Sequence, residues 1–256
     1  MRFAAAFLLC LCIPFASATT ISTDFTDMWW IPAENGWGAN VIQQGDTIFI
    51  TLFVYATNGQ ATWFVGPNTG YQGTVAGAQS FSGKLYQVTG PYFASPLFNS
   101  SNINAREVGV VTFSAPQVAS ATLAYTVDGV SVTKAIVRQT WRTENLVGGF
   151  IGATIGVFTG CTSNGTSETG AAYAVTQTGN SIAISEQGST YTCAYNGTLT
   201  QTGRMGSIAG SGSCSDLGSL TFAASEVQAS LDALSMRMDF SSGSCRFSGR
   251  LGGMRR

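Results

Sequence analysis

Residues 46–55 read DTIFITLFVY, and their pattern decides the fold class. β-Branched and aromatic side chains fill the run and a turn-forming QQGD (43–46) leads into it, the composition of a strand. Alternation places Ile48, Ile50, Leu52 and Val54 on one face and Phe49, Thr51, Phe53 and Tyr55 on the other, so both faces are apolar. Such a strand is central. One face belongs to a core, and the aromatic face belongs either to the same closed barrel or to a groove that another molecule fills.

Upstream, WWIPAENGWGAN (29–40) holds three of the five tryptophans. Downstream, Asn58-Gly59 turns the chain into ATWFVG (61–66), which returns against the first strand and sets Trp63 across from it. FSGKLYQV (81–88), REVGVVTFS (106–114), SATLAYTV (120–127) and VSVTKAIVRQTW (130–141) follow as strands. The last two meet at Asp128-Gly129, the strongest hairpin signal in the chain, while PYFASPLFNSSNINA (91–105) reads as a long irregular loop. About seven or eight short strands without a credible helix predict a β-sandwich or barrel over residues 19–142.

All tryptophans lie between Trp29 and Trp141, whereas four cysteines, Cys161, Cys193, Cys214 and Cys245, lie beyond them. The chain therefore divides within RTENLVGG (142–149), and residues 149–256 form a second module. Four cysteines in an exported chain read as two disulfides, because zinc ligands need close pairs such as C-x-x-C. The spacing does not fix the connectivity, although Cys193 and Cys214 flank a hairpin at Thr202-Gly203-Arg204 and can face each other, which would leave Cys161 for Cys245. VTQTGNSIAI (175–184) is echoed by LTQTGRMGSIAG (199–210), successive hairpins of an up-and-down meander. AASEVQASLDALSMRM (223–238) is compatible with a helix, although two strands turning near Leu231 to Leu234 suit its extended flanks better. CRFSGRL (245–251) closes as a strand and GGMRR (252–256) as a polar tail. The fold class is thus all-β in two modules, a β-sandwich or barrel followed by a disulfide-stapled antiparallel β-meander.

The first 18 residues have a basic Arg2, an apolar run from Phe3 to Phe15 and an A-x-A pattern at Ala16 and Ala18. They predict a signal peptide cleaved after Ala18, removing Cys10 and Cys12, and a periplasmic or secreted protein without a transmembrane segment. Charged residues make up only 10% of the chain and the net charge is −1, with no basic cluster, which argues against nucleic acid as a partner.

WWIPAENGWGAN, with QQGD, LFVY (52–55), QVTGPYF (87–93) and YTVDGVSVTKAIVRQTW (125–141), resembles a family of exported proteobacterial proteins. The resemblance covers most of residues 29–141, and in that family the module occurs alone, in tandem or appended to secreted proteins. It implies export and a bacterial source rather than a reaction. The second module, ending in FSGRLGGMRR, looks like a frequent companion of the first.

Chemistry is bounded by what is missing. The chain has no histidine, which excludes Ser-His-Asp and Cys-His nucleophilic mechanisms and histidine-ligated metals. No phosphate loop, dinucleotide fingerprint or D-x-D-x-D-G calcium loop occurs, so the sequence implies no cofactor and no metal. Glu34 and Asp46 flank the Trp-rich loop and are the one carboxylate pair that suggests a hydrolase, although both also suit turns. Trp29, Trp30, Trp37 and Trp63 suggest a groove in which rings stack on a ligand while Glu34, Asn35, Asn40 and Gln43 supply hydrogen bonds. Taken singly, each tryptophan is better explained as core. Three functions follow, in this order: a non-catalytic binding module for a glycan or another cell-envelope component, a structural or assembly protein acting by strand-edge pairing, and a carboxylate hydrolase.

Overall fold

The computed structural model describes residue 21 and residues 23–256; the expected signal peptide and its cleavage site lie outside them. The chain is all-β. In the first half, β1 (Asp27–Trp30), β2 (Gly38–Gln44), β3 (Thr47–Tyr55), β4 (Ala61–Val75), β5 (Ala78–Thr89), β6 (Asn104–Gln117), β7 (Ser120–Val127) and β8 (Val130–Arg138) follow one another. The second half comprises β9 (Gly148–Thr159), β10 (Gly165–Thr178), β11 (Ser181–Gln187), β12 (Thr192–Thr202), β13 (Met205–Cys214), β14 (Gly218–Ala229), β15 (Ala233–Ser242) and β16 (Cys245–Arg255). Each strand pairs antiparallel with its sequence neighbours, and β1 with β8 and β9 with β16 close two separate barrels. The first module is a barrel, then, and not a sandwich.

The strand β3 behaves as its alternation requires on one side only. Ile48, Ile50 and Leu52 are fully buried, whereas Phe49, Phe53 and Tyr55 are 41%, 45% and 58% exposed on the outer wall. An eight-stranded barrel has room for one layer of side chains inside, so a strand buried on its inner face leaves the other face outside. Trp29, Phe81 and Phe113 fill that interior, with Trp29 edge-on to Phe113 at 5.1 Å. Phe25, from the segment before β1, plugs the same end, 5.5 Å from Phe113 and 6.0 Å from Phe81. The ring closes through two residue pairs, Trp29↔Arg138 and Trp30↔Val137, which leaves β8 without a partner strand on that side along residues 130–136.

The second barrel is lined by Phe150, Tyr173, Ile184, Tyr195, Phe222 and Met238, among others. Glycines let its strands close in: Gly156 faces Gly249 and Gly197 faces Gly210 across adjacent strands, where a Cβ would strike neighbouring backbone. Cys161–Cys245 and Cys193–Cys214 are both disulfides, the pairing that the hairpin placement allows. The ambiguous segment is two strands, turning at residues 230–232 where Ser230 Oγ accepts from Asp232 N and Ala233 N. The expected polar tail is instead the end of β16, which pairs with both β9 and β15, because Gly252 and Gly253 fit the tight ladder.

One end of each barrel faces the other. Arg138, buried, donates to Asp24 O at 2.6 Å, Val118 O at 2.7 Å and Asp27 Oδ2 at 3.0 Å, and its guanidinium lies 4.9 Å from the Trp29 ring centroid. The β12–β13 turn of the second barrel completes this cluster: Arg204 N donates to Asp27 Oδ2 and Gly203 N to Thr140 Oγ1, both at 2.8 Å. Leu146 of the linker enters the core of the second barrel from this end, its N–H donating to Gln177 Oε1 at 2.9 Å. Among the described residues, no helix is long and apolar enough to cross a membrane.

Candidate functional site at the mouth of the second barrel

With the near end of the second barrel stoppered by Leu146, its far end is the open one. Here β11 carries Ile182, Ile184 and Glu186 at alternate positions on its inner face, so the period that buries two isoleucines also buries a carboxylate, 5% exposed. Register sets Cys193 directly opposite Glu186 and Tyr195 opposite Ile184. Tyr191, in the β11–β12 loop, donates to Glu186 Oε1 at 2.8 Å, and Tyr195 donates to Oε2 at 2.9 Å. Deeper in, the Tyr173 hydroxyl and Thr154 Oγ1 share a hydrogen bond of 2.8 Å. Glu186, Tyr191, Tyr195 and Thr154 border a partly enclosed cavity of ≈ 210 Å³, whose wall on the other side is Phe158, Phe240 and Phe247.

Electrostatically the mouth is one-signed. Glu186 and Asp216 both line it and, among the described residues, no lysine or arginine does. Arg246, at the same end, is exposed and spends its guanidinium on the carbonyls of Gly243 and Cys245. Burial, then the hydrogen bond and charge of Glu186, push the Tyr191 hydroxyl well above its ordinary range; burial, then the Glu186 charge, does the same to Tyr195. Tyr173 is pushed up to about 12, chiefly by burial. All three phenols therefore stay protonated, and those of Tyr191 and Tyr195 are donors to one carboxylate. Cys193 Sγ, Cys214 Sγ and a carboxylate oxygen of Asp216 lie within 4.8 Å of one another, but the sulfurs are bonded to each other and offer no thiolate to a metal.

The residues singled out in the Trp-rich loop do not converge on one cavity wall. Trp29 is fully buried, its Nε1 donating to Phe25 O at 3.1 Å, and is core. Trp30 and Asn40 are half-buried on β1 and β2. Trp37 is half-buried against the core beneath Lys134, whose Nζ lies 5.3 Å from its ring centroid, and its Nε1 has no hydrogen-bond partner among the described residues. Glu34 and Asn35 are exposed at the turn, with Glu34 ion-paired to Lys134, and Trp63 is exposed on the outer wall in register with Phe53. Gln43 serves the fold: it accepts from Phe25 N at 2.9 Å and donates to Thr23 O at 3.1 Å, tying down the plug. Glu34 and Asp46 sit at opposite ends of β2, about 20 Å apart at ~3.3 Å per residue, so they cannot act as an acid–base pair.

The mouth of the second barrel was missed because ISEQ reads as an ordinary hairpin strand. A signal exists all the same: in SIAISEQ the glutamate falls on the isoleucine face. Compared with models of known families and with curated proteins, the chain matches none.

Proposed function

We propose that the protein is an exported, non-catalytic binding protein that takes a small molecule into the mouth of its second barrel. The observation that carries this reading is Glu186, a buried carboxylate facing a cavity that no basic side chain lines among the described residues. Burying a charge without a counter-ion is costly, and a fold keeps such a group where something else meets it. A barrel plugged at one end and open at the other is also a common architecture for holding one small ligand. Screening the purified chain by heteronuclear NMR against a fragment set of mixed charge tests it. The expected result is shifts clustered on Thr169, Tyr191, Tyr195 and Phe247; shifts scattered over both barrels, or none, would overturn it.

A second reading keeps a glycan or other envelope component as the ligand, on the first barrel. Phe53, Tyr55 and Trp63 are exposed together on the outer wall, a flat aromatic surface suited to stacking on sugar rings. It predicts that Trp63→Ala abolishes retention on envelope polysaccharide without changing the folding midpoint; unchanged retention would sink it. Strand-edge pairing has less to support it. Both ladders are closed, and the open stretch of β8 carries the ion-paired Lys134 in its middle, a charge that blunts an edge.

A further inference from the structure

Around the ring of eight strands, β11–β13 stand opposite β15, β16 and β9, so the mouth has two unlike walls. One carries Glu186 with its two tyrosine donors, and Asp216 stands on the adjoining β13–β14 loop. The other is a continuous aromatic surface: Phe240 and Phe247 stack at 4.8 Å, and Phe158 packs 4.9 Å from Phe247. Resting on the assignment of this mouth as the binding site, we propose that its ligand is an organic cation, an ammonium group on a small apolar body, with Glu186 as its counter-ion.

Each oxygen of Glu186 accepts one tyrosine hydroxyl, the Tyr173 hydroxyl lies close by as a third neighbour, and a carboxylate has about four acceptor directions, so Glu186 keeps room for a further donor from the cavity. An ammonium N–H fills that room and brings the opposite charge, which the tyrosine hydroxyls do not. The acidic side chains of the lining, Glu186 and Asp216, have no cation beside them there, so an anion is repelled at the rim and again at the floor. The opposite wall favours the same choice: aromatic faces attract a desolvated cation and accept its hydrocarbon body. A cavity of ≈ 210 Å³ holds a compact amine and excludes a bulky one.

Three near-isosteric probes separate the alternatives: benzylammonium, benzyl alcohol and benzoate, each titrated into the full chain and followed on the Tyr191, Tyr195 and Thr169 signals. We expect benzylammonium to bind at least about tenfold more tightly than benzyl alcohol, and benzoate to bind more weakly still. Glu186→Gln should bring the amine down to the affinity of the alcohol. Because Glu186 also holds two tyrosines, Asp216→Asn at the exposed rim supplies a second variant, expected to weaken the amine several-fold and leave the alcohol unchanged. Benzyl alcohol binding as tightly as the amine at the same residues overturns the cation and leaves the mouth as the site. No response to any of the three also overturns the cation; only silence from the full fragment set as well removes the binding reading.

Discussion

Arg138 and Glu186 are charged groups taken inside a barrel, and their surroundings differ. Arg138 has its partners in the fold, three acceptors within 3.0 Å and a tryptophan face beside it. Removing it strands Asp27, so Arg138→Ala should destabilise the first barrel by about 3–5 kcal/mol in urea unfolding, whereas Arg138→Met should cost less because it refills the space. Glu186 has hydroxyl partners only. Its tyrosines make the second barrel sensitive to alkali. Tyr173, at 10.0 unfolded and about 12 folded, stabilises the protein fully below pH 10 and loses that contribution as pH rises toward 12, because unfolding frees the hydroxyl to ionise. Unfolding midpoints should therefore fall between those values, and Tyr173→Phe should flatten the decline. Both charges were visible in the sequence as single breaks in an apolar face, Ile136 then Arg138 and Ile184 then Glu186. Alternation alone cannot say which face is inside, and a charge argues for the wrong one.

Hairpins were the most legible elements, because their turns are local. Asp128 and Gly129 both have positive φ, 48° and 84°, as the Asp-Gly dipeptide requires. Closure was not legible, since the β1–β8 pairing rests on two residue pairs separated by nearly the whole module. The aromatic face of β3 was ambiguous for the same reason: only a closed ring tells outside from groove. Cysteine spacing left the connectivity open, and the hairpin between Cys193 and Cys214 only made one pairing available, which is the one the fold holds. The two bridges close loops of unequal length, 84 and 21 residues apart in sequence. Chain entropy gives them about 4.5 and about 3 kcal/mol. Cys161→Ser with Cys245→Ser should accordingly lower the denaturation midpoint more than the equivalent change at Cys193 and Cys214; equal or inverted losses would show that native packing, not loop length, dominates.

At the scale of the molecule, the barrels meet through polar groups that neither half supplies alone. Gly203 is central to this: its φ is +61°, and a side chain there would collide with the Asp27 carboxylate and with Arg138. Gly203→Val should uncouple the halves, splitting one thermal transition into two while each barrel keeps its β-sheet circular dichroism; a single lowered transition would mean that the junction tolerates the change. The two disulfides add a property of another kind. Both lie at the open end of the second barrel, one across β12 and β13 and the other joining the β9–β10 loop to β16, on opposite sides of the ring. Neighbouring strands riveted at two opposed points of a rim resist parting, and under the proposed binding function such a rim would act as a sieve. Exchange rates should fall abruptly with the cross-section of the entering molecule, even among compounds that bind equally well once inside, and reducing the rivets should abolish that threshold.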